Sequence, residues 1–210
     1  MNLLYAQADK SLKNNVKTLN SRQAYLATVA KDPAKKLIGL QELIPDLVLD
    51  LRYASGNNFV KKEMYPAGTK ETFLRYLPAL QLQKIQAELN ASGLGLKIYD
   101  AYRPFSVTVA FWDLVKDSRY VAKPVNGSAH NRGLAVDLTL VDLKTGKELD
   151  MGTDFDDFSS QAGSRIKTLP GIVVANRQKL RDVMMRFGFK KLDTEWWHFS
   201  WANDRGYEVL

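Results

Sequence analysis

Apolar positions recur along this chain in two periods, and the change from one to the other marks its elements. Over residues 134–141, Leu134, Val136, Leu138 and Leu140 share one face of an extended segment, while Ala135, Asp137 and Thr139 share the other. That alternation predicts a strand. Residues 46–53 read as a half-buried strand through Leu47, Leu49 and Leu51, and shorter strands are predicted over residues 96–99 and 196–201. Helical spacing governs residues 72–90, where Phe73, Leu77, Leu80, Leu82, Ile85 and Leu89 recur, with Pro78 near a start or kink and Gly93 and Gly95 beyond the end. Pro104 pushes Arg103 out of the helical region, and Ser106 is the expected cap of a helix running to residue 116. Residues 176–187 form another predicted helix, with Leu180, Val183, Met184 and Phe187 inward and Gly188 as its stop. Residues 9–36 are polar and lysine-rich, with a thin apolar stripe of Leu12, Val16, Leu19, Leu26 and Ala30, as in a helix packed on the outside.

Strands and helices mix without a regular strand–helix–strand alternation. The expected fold class is therefore α+β, with a central, largely antiparallel β-sheet flanked by helices in a single domain. Residues 1–40 are expected to be a helical, variable N-terminal extension and residues 41–210 the main domain. The length of 210 residues suits one core without covalent staples.

Composition narrows the chemistry. No cysteine is present, which removes disulfides, iron–sulfur clusters, thiol catalysis and cysteine zinc fingers. Metal chemistry is left to His, Asp and Glu. A net charge of +7 is spread along the chain, apart from a local concentration between Arg165 and Lys191. It carries no nucleic-acid motif, so nucleic acid is not an expected partner. No apolar run approaches the roughly 18 residues of a transmembrane segment. Ala6-Gln7-Ala8 has the small-x-small form of a signal-peptidase site behind a short apolar start. Read as the stump of a signal peptide, it favours an exported or periplasmic protein, the alternative being a cytoplasmic one with an ordinary start.

The chain has two histidines, His130 and His198. Each sits near acidic residues. The first cluster runs Ser128-Ala129-His130-Asn131-Arg132-Gly133-Leu134-Ala135-Val136-Asp137, and the second is Glu195-Trp196-Trp197-His198. On a continuous strand, His130 and Asp137 would face opposite ways. Gly133 permits a bend that leaves His130 on a loop while Asp137 projects from the strand. A surface aspartate and a capping glutamate are the plain alternatives. Together, however, two His and one Asp with a free Glu compose the kit of a catalytic zinc site, with three protein ligands and an open position.

These motifs resemble the zinc D,D-peptidases, which include D-Ala-D-Ala dipeptidases and D-Ala-D-Ala carboxypeptidases, and most of all the VanX-type dipeptidases. Asp50-Leu51-Arg52-Tyr53-Ala54, Asn58-Phe59, Ala101-Tyr102-Arg103-Pro104, Asp137-Leu138-Thr139-Leu140 and Met151-Gly152-Thr153-Asp154-Phe155-Asp156 agree as well. The resemblance spans about residues 40–201. It implies one Zn2+ per chain, held by His130, Asp137 and His198, and hydrolysis of the D-Ala-D-Ala dipeptide with Glu195 as general base and then acid. It further implies that Arg103 stabilises the developing oxyanion, that Asp156 holds the substrate's free amine, and that Ser128 lies near its carboxylate. Two positions depart from the pattern: Ala101 stands where relatives often have glycine, and Lys61 falls where a glycine is expected after Asn58-Phe59. A D,D-carboxypeptidase trimming longer cell-wall peptides, with an open cleft and no amine anchor, is the nearest alternative. A non-catalytic module that grips wall peptides is another, and it would be expected to lack Glu195 or Arg103. In the family, removal of D-Ala-D-Ala serves vancomycin resistance or the recycling and scavenging of peptidoglycan fragments.

Overall fold

In the computed structural model, which describes residues 16–117, 121, 123–166 and 168–210, the elements follow in the order α1 (Arg22–Lys31), β1 (Leu37–Gly39), α2 (Leu40–Leu43), β2 (Val48–Leu49), β3 (Phe73–Arg75), α3 (Tyr76–Asn90), β4 (Leu94–Asp100), α4 (Phe105–Val115), β5 (Ala135–Asp142), α5 (Gly171–Arg186), β6 (Lys190–Lys191) and β7 (His198–Ser200). Five strands form one sheet in the order β2-β4-β5-β7-β6, and β1 pairs with β3 in a second, two-stranded sheet.

The strand with the clearest alternation, β5, occupies the middle of the large sheet. Its Val136, Leu138 and Leu140 join the main core, together with Leu82, Ile85 and Leu89 of α3 and Leu180, Val183 and Met184 of α5. Helix α3 packs on β4 and α5 on β5, and Arg186 of α5 reaches Glu88 of α3 at 3.0 Å. Burying side chains of this kind stabilises the fold by roughly 1.5–3 kcal/mol each. The other face of β5 carries Ala135, Asp137 and Thr139, which are also buried. A carboxylate there needs compensation, and this face becomes the candidate site.

The expected α+β architecture is borne out, with helices flanking a sheet whose pairings are antiparallel except for β2 against β4. Local boundaries differ for physical reasons. The helix expected over residues 72–90 starts at Tyr76, because Phe73–Arg75 pairs with Leu37–Gly39. The fully buried Arg75 side chain donates to the backbone carbonyls of Lys35, Arg132 and Glu208, which locks that junction. Pro78 then sits in the first turn of α3, where its missing N–H costs nothing. The strand expected over residues 46–53 shortens to Val48–Leu49 and turns into a 3-10 turn at Arg52–Ala54. Helix α4 is capped by Pro104, which places Ser106 inside the helix rather than at its cap. Helix α5 begins at Gly171, directly after Pro170 and before the apolar spacing announces it.

Helix α1 buries none of its residues, and Leu26 is 48% exposed, so its apolar stripe is not a packing face. The helix is held by polar contacts instead: Ser21 caps the Ala24 N–H, and the Tyr25 hydroxyl accepts from the Leu37 N–H at 2.7 Å. Leu12 and Ala6-Gln7-Ala8 lie outside the described residues. Among the described residues, no helix is long and apolar enough to cross a membrane.

Candidate active site

Strand register assembles the site. Asp137 on β5 lies directly opposite His198 on β7 and opposite Asp100 on β4, just past a bulge in the β4–β5 ladder. Three ionisable side chains from distant parts of the chain thus stand in one row across the sheet. His130 reaches that row from outside it. The residue sits on a 3-10 turn, His130–Arg132, and Gly133 bends the chain into β5 with φ +67. A side chain at Gly133 would be strained by that φ and would meet Leu37 Cδ2 at 2.8 Å.

The His130 Nδ1 lies 2.7 Å from the Ala101 carbonyl. A carbonyl only accepts, so Nδ1 carries the proton and Nε2 is left with a lone pair. That nitrogen is 3.2 Å from His198 Nδ1 and 3.4 Å from Asp137 Oδ2, while Asp137 Oδ1 is 2.9 Å from His198 Nδ1. Zinc–ligand bonds of about 2.0–2.1 Å in a tetrahedral shell put ligand atoms roughly 3.3 Å apart. The triad therefore fits a zinc-sized cation in spacing and in chemistry, with two imidazoles and a carboxylate all within 4.8 Å of one another. Electrostatics agree. Burial opposes ionisation of Asp137, but His130 and His198 beside it hold its carboxyl well below the usual range. Burial would lower His130, but the Asp137 carboxylate outweighs it and raises the imidazole. A buried anion that draws a proton onto His130 can be compensated by a metal cation in its place.

Glu195 lies where the chain enters β7, and its Oε2 is 3.9 Å from His198 Nδ1, beside the triad and outside hydrogen-bond reach of it. Burial, and then the negative charge of Asp137, raise its carboxyl above the ordinary value. Arg103 approaches from the loop before α4. Its guanidinium donates through Nε and Nη2 to Asp100 Oδ2 at 3.0 and 2.7 Å, stands 4.0 Å from Asp137 Oδ2, and lies over the Tyr53 ring at 4.9 Å. Its own carbonyl accepts from Asn131 Nδ2, which ties the arginine loop to the His130 turn.

Asp156 occupies a left-handed backbone position, φ 62, in the loop after Phe155. The Tyr53 hydroxyl donates to both of its oxygens, at 3.0 and 3.1 Å. Burial, with Asp137 and Glu195 nearby, pushes its carboxyl up to about 8 despite that hydrogen bond. Such a carboxylate gains strongly from a cation placed beside it. Ser128 is held in a reciprocal pair with Asn131: its N–H donates to the Asn131 side chain, and its hydroxyl accepts from the Asn131 N–H.

All seven residues singled out in the sequence, Arg103, Ser128, His130, Asp137, Asp156, Glu195 and His198, line one cavity of about 180 Å³. Pockets for drug-sized ligands run to ~300–1,000 Å³, so this one suits a smaller molecule. Two larger cavities, of about 560 and 390 Å³, contain none of the seven. Aromatic rings wall the site, Phe59 stacking on Phe111 and meeting Phe158 edge-on. Trp197 lines it, whereas Trp196 turns away and donates to Thr153. Sequence reasoning missed Asp100, which is fully buried and is contacted by Arg103, by the Tyr65 hydroxyl and, at 3.4 Å, by His130 Nδ1. Its signal was an acidic residue ending a strand in which only Lys97 is otherwise charged. Tyr53, the partner of Asp156, stood inside a matching motif without an assigned role.

Comparison with known proteins points the same way. The model of the peptidase M15 family, described as D-ala-D-ala dipeptidase, matches residues 33–208. The D-alanyl-D-alanine dipeptidase of Escherichia coli is 35% identical over 175 residues, covering 83% of this chain and 89% of that protein. Those of Enterococcus faecalis and Streptomyces coelicolor are 30% and 31% identical, each match covering 77% of this chain and 89% of the relative.

Proposed function

The chain belongs to the D-Ala-D-Ala dipeptidase family of peptidases, and from that premise we propose that it hydrolyses free D-Ala-D-Ala at a zinc site formed by His130, Asp137 and His198. The observation that carries this reading is the convergence of those three groups with Glu195, Arg103 and Asp156 on one small cavity. Zinc, when bound, supplies a Lewis acid and brings the pKa of a coordinated water down to about 7. Glu195, beside the triad but not within it, takes the proton of the attacking water and passes it to the leaving amine. Arg103 donates to the carbonyl oxygen as charge develops there. It does so from a guanidinium that Asp100 already orients, so little reorganisation accompanies the reaction. The Asp156 carboxylate receives the substrate's ammonium, and Ser128 lies toward its carboxylate end. A charged anchor for the free amine and a small volume favour a dipeptide over the end of a longer chain.

Hydrolysis of free D-Ala-D-Ala, measured beside an N-acylated D-Ala-D-Ala peptide with zinc-loaded and chelator-treated protein, tests the reading. Zinc-dependent cleavage of the free dipeptide alone is expected. Cleavage of the blocked peptide would instead make the chain a D,D-carboxypeptidase. Cleavage of neither by the loaded protein would refute both and favour a wall-peptide-binding module.

A further inference from the structure

The basic run noted between Arg165 and Lys191 plays no part in the candidate active site. The fold gathers four of its members, Arg165, Arg177, Arg181 and Lys191, around a second cavity, of about 390 Å³, which shares no lining residue with the first. Arg181 enters it from α5, Lys191 from β6 and Arg165 from the loop before α5. The Lys191 and Arg181 side chains are only 9% and 19% exposed, so these charges are built into the wall rather than waving in solvent. Arg177 lies deeper, its Nε and Nη1 donating to the carbonyls of Met151, Gln161 and Gly163.

The cations outnumber their local counter-charges. Asp193 reaches both Lys191 and Arg165, and Asp182 approaches Arg181 at 3.9 Å. Both carboxylates are largely exposed, at 73% and 56%, where water weakens the pairing. Asp150 and Asp157 act on Arg177, so Arg165, Arg181 and Lys191 against Asp193 and Asp182 leave one positive charge in excess around the hollow. Burial and the guanidiniums of Arg165 and Arg181 hold the Lys191 ammonium below the usual lysine value. Ser164 on the same wall is 6% exposed, and its hydroxyl has no hydrogen-bond partner among the described residues. An unpaired buried hydroxyl carries a free-energy cost that an acceptor in the cavity would remove.

The arrangement selects the ligand's chemistry. A carboxylate is planar and is served by one guanidinium fork. Here point and forked donors come from three separate elements around a volume, which suits a tetrahedral group. A phosphate monoester carries about −1.5 to −2 charges near neutral pH, opposite in sign to the local excess. The remaining wall includes Ile166, Val174 and Met185, with Met185 47% exposed, and offers apolar surface to an organic portion. We infer that this cavity binds a phosphate ester, with Arg165, Arg181 and Lys191 holding the phosphate and the apolar wall receiving the organic part.

The test uses the full chain and two probes at constant ionic strength: glycerol phosphate by calorimetric titration, and phosphatidylglycerol vesicles by co-sedimentation. Two variants accompany it, the double variant Arg165→Gln/Lys191→Gln and the single variant Arg165→Glu. The latter alters a side chain that is 71% exposed and leaves the fold unburdened. Saturable binding of glycerol phosphate that weakens at least about tenfold in either variant, with D-Ala-D-Ala hydrolysis unchanged, supports a soluble ester as the ligand. Binding of vesicles alone, weakened in the same way, supports the same site with a lipid headgroup as its source. Binding of neither probe, or binding that both variants retain in full, overturns the proposal.

Discussion

Asp137 and His198 are register partners across β5 and β7, and their side chains meet at 2.9 Å between Oδ1 and Nδ1. In a ladder of period two, a slip of one residue would turn either side chain to the opposite face. The meeting of Asp137 and His198 within the proposed metal triad is therefore a consequence of the sheet register. Asp137→Asn and His198→Ala are each expected to leave the fold intact by circular dichroism and to lose zinc, measured by elemental analysis, together with dipeptidase activity. Retention of one zinc per chain by either variant would contradict the assignment of ligands.

Asp100 extends the same row and touches no proposed substrate atom. It fixes Arg103 through two hydrogen bonds and stands 3.4 Å from His130 Nδ1. Outer-sphere groups of this kind are worth about 10–100-fold in metal affinity or activity. Asp100→Asn is expected to reduce kcat/KM within that range, with zinc affinity falling less than in the ligand variants.

Glu195 lies close to His198 without joining the triad. Glu195→Gln keeps shape and removes proton transfer. It is expected to retain zinc and lose about 10²–10⁴ in kcat, with KM for D-Ala-D-Ala nearly unchanged. A parallel loss of zinc would make Glu195 a ligand instead.

Asp156→Asn removes the proposed amine anchor and is expected to raise KM for the free dipeptide more than it lowers kcat. A stability signature accompanies it in metal-free protein. The folded carboxyl titrates at about 8, against an ordinary value of 3.8. Folding therefore disfavours ionisation, and this group's penalty on stability grows as pH rises from about 4 and is complete above about 8. The melting temperature of Asp156→Asn relative to the parent should rise across that window and level off beyond it. A difference that is flat with pH would place the Asp156 carboxyl in a far more polar setting.

Lys61 adopts φ 54 in the loop that carries Phe59, where the family pattern leads one to expect glycine. A side chain in this conformation costs roughly 1–2 kcal/mol, and glycine's extra freedom when unfolded returns ~0.5–1 kcal/mol of that. Lys61→Gly is expected to stabilise the protein by up to about 1 kcal/mol in denaturant unfolding. Asn58 keeps the loop in place meanwhile, donating to the carbonyls of Arg52, Ser55 and Lys62.

The sequence by itself determined the residue types of the chemistry and most of the elements that carry them. With two histidines and no cysteine, a metal site had few candidate ligands, and the alternation around Leu138 marked the central strand because period two is a local property of the chain. Tertiary structure decided what depends on partners far away in sequence. Residues 73–75 carry helical spacing yet pair as a strand with residues 37–39, since the ladder bonds and the buried Arg75 outweigh a local preference that is worth less than one kcal/mol per residue. Asp100 reads as an ordinary strand end until register sets it beside Asp137. Arg165, Arg181 and Lys191 become neighbours only when α5 and β6 bring them to one hollow. In each case the deciding interaction spans elements, and a pattern read along the chain records only which face a residue will take, not what will meet it there.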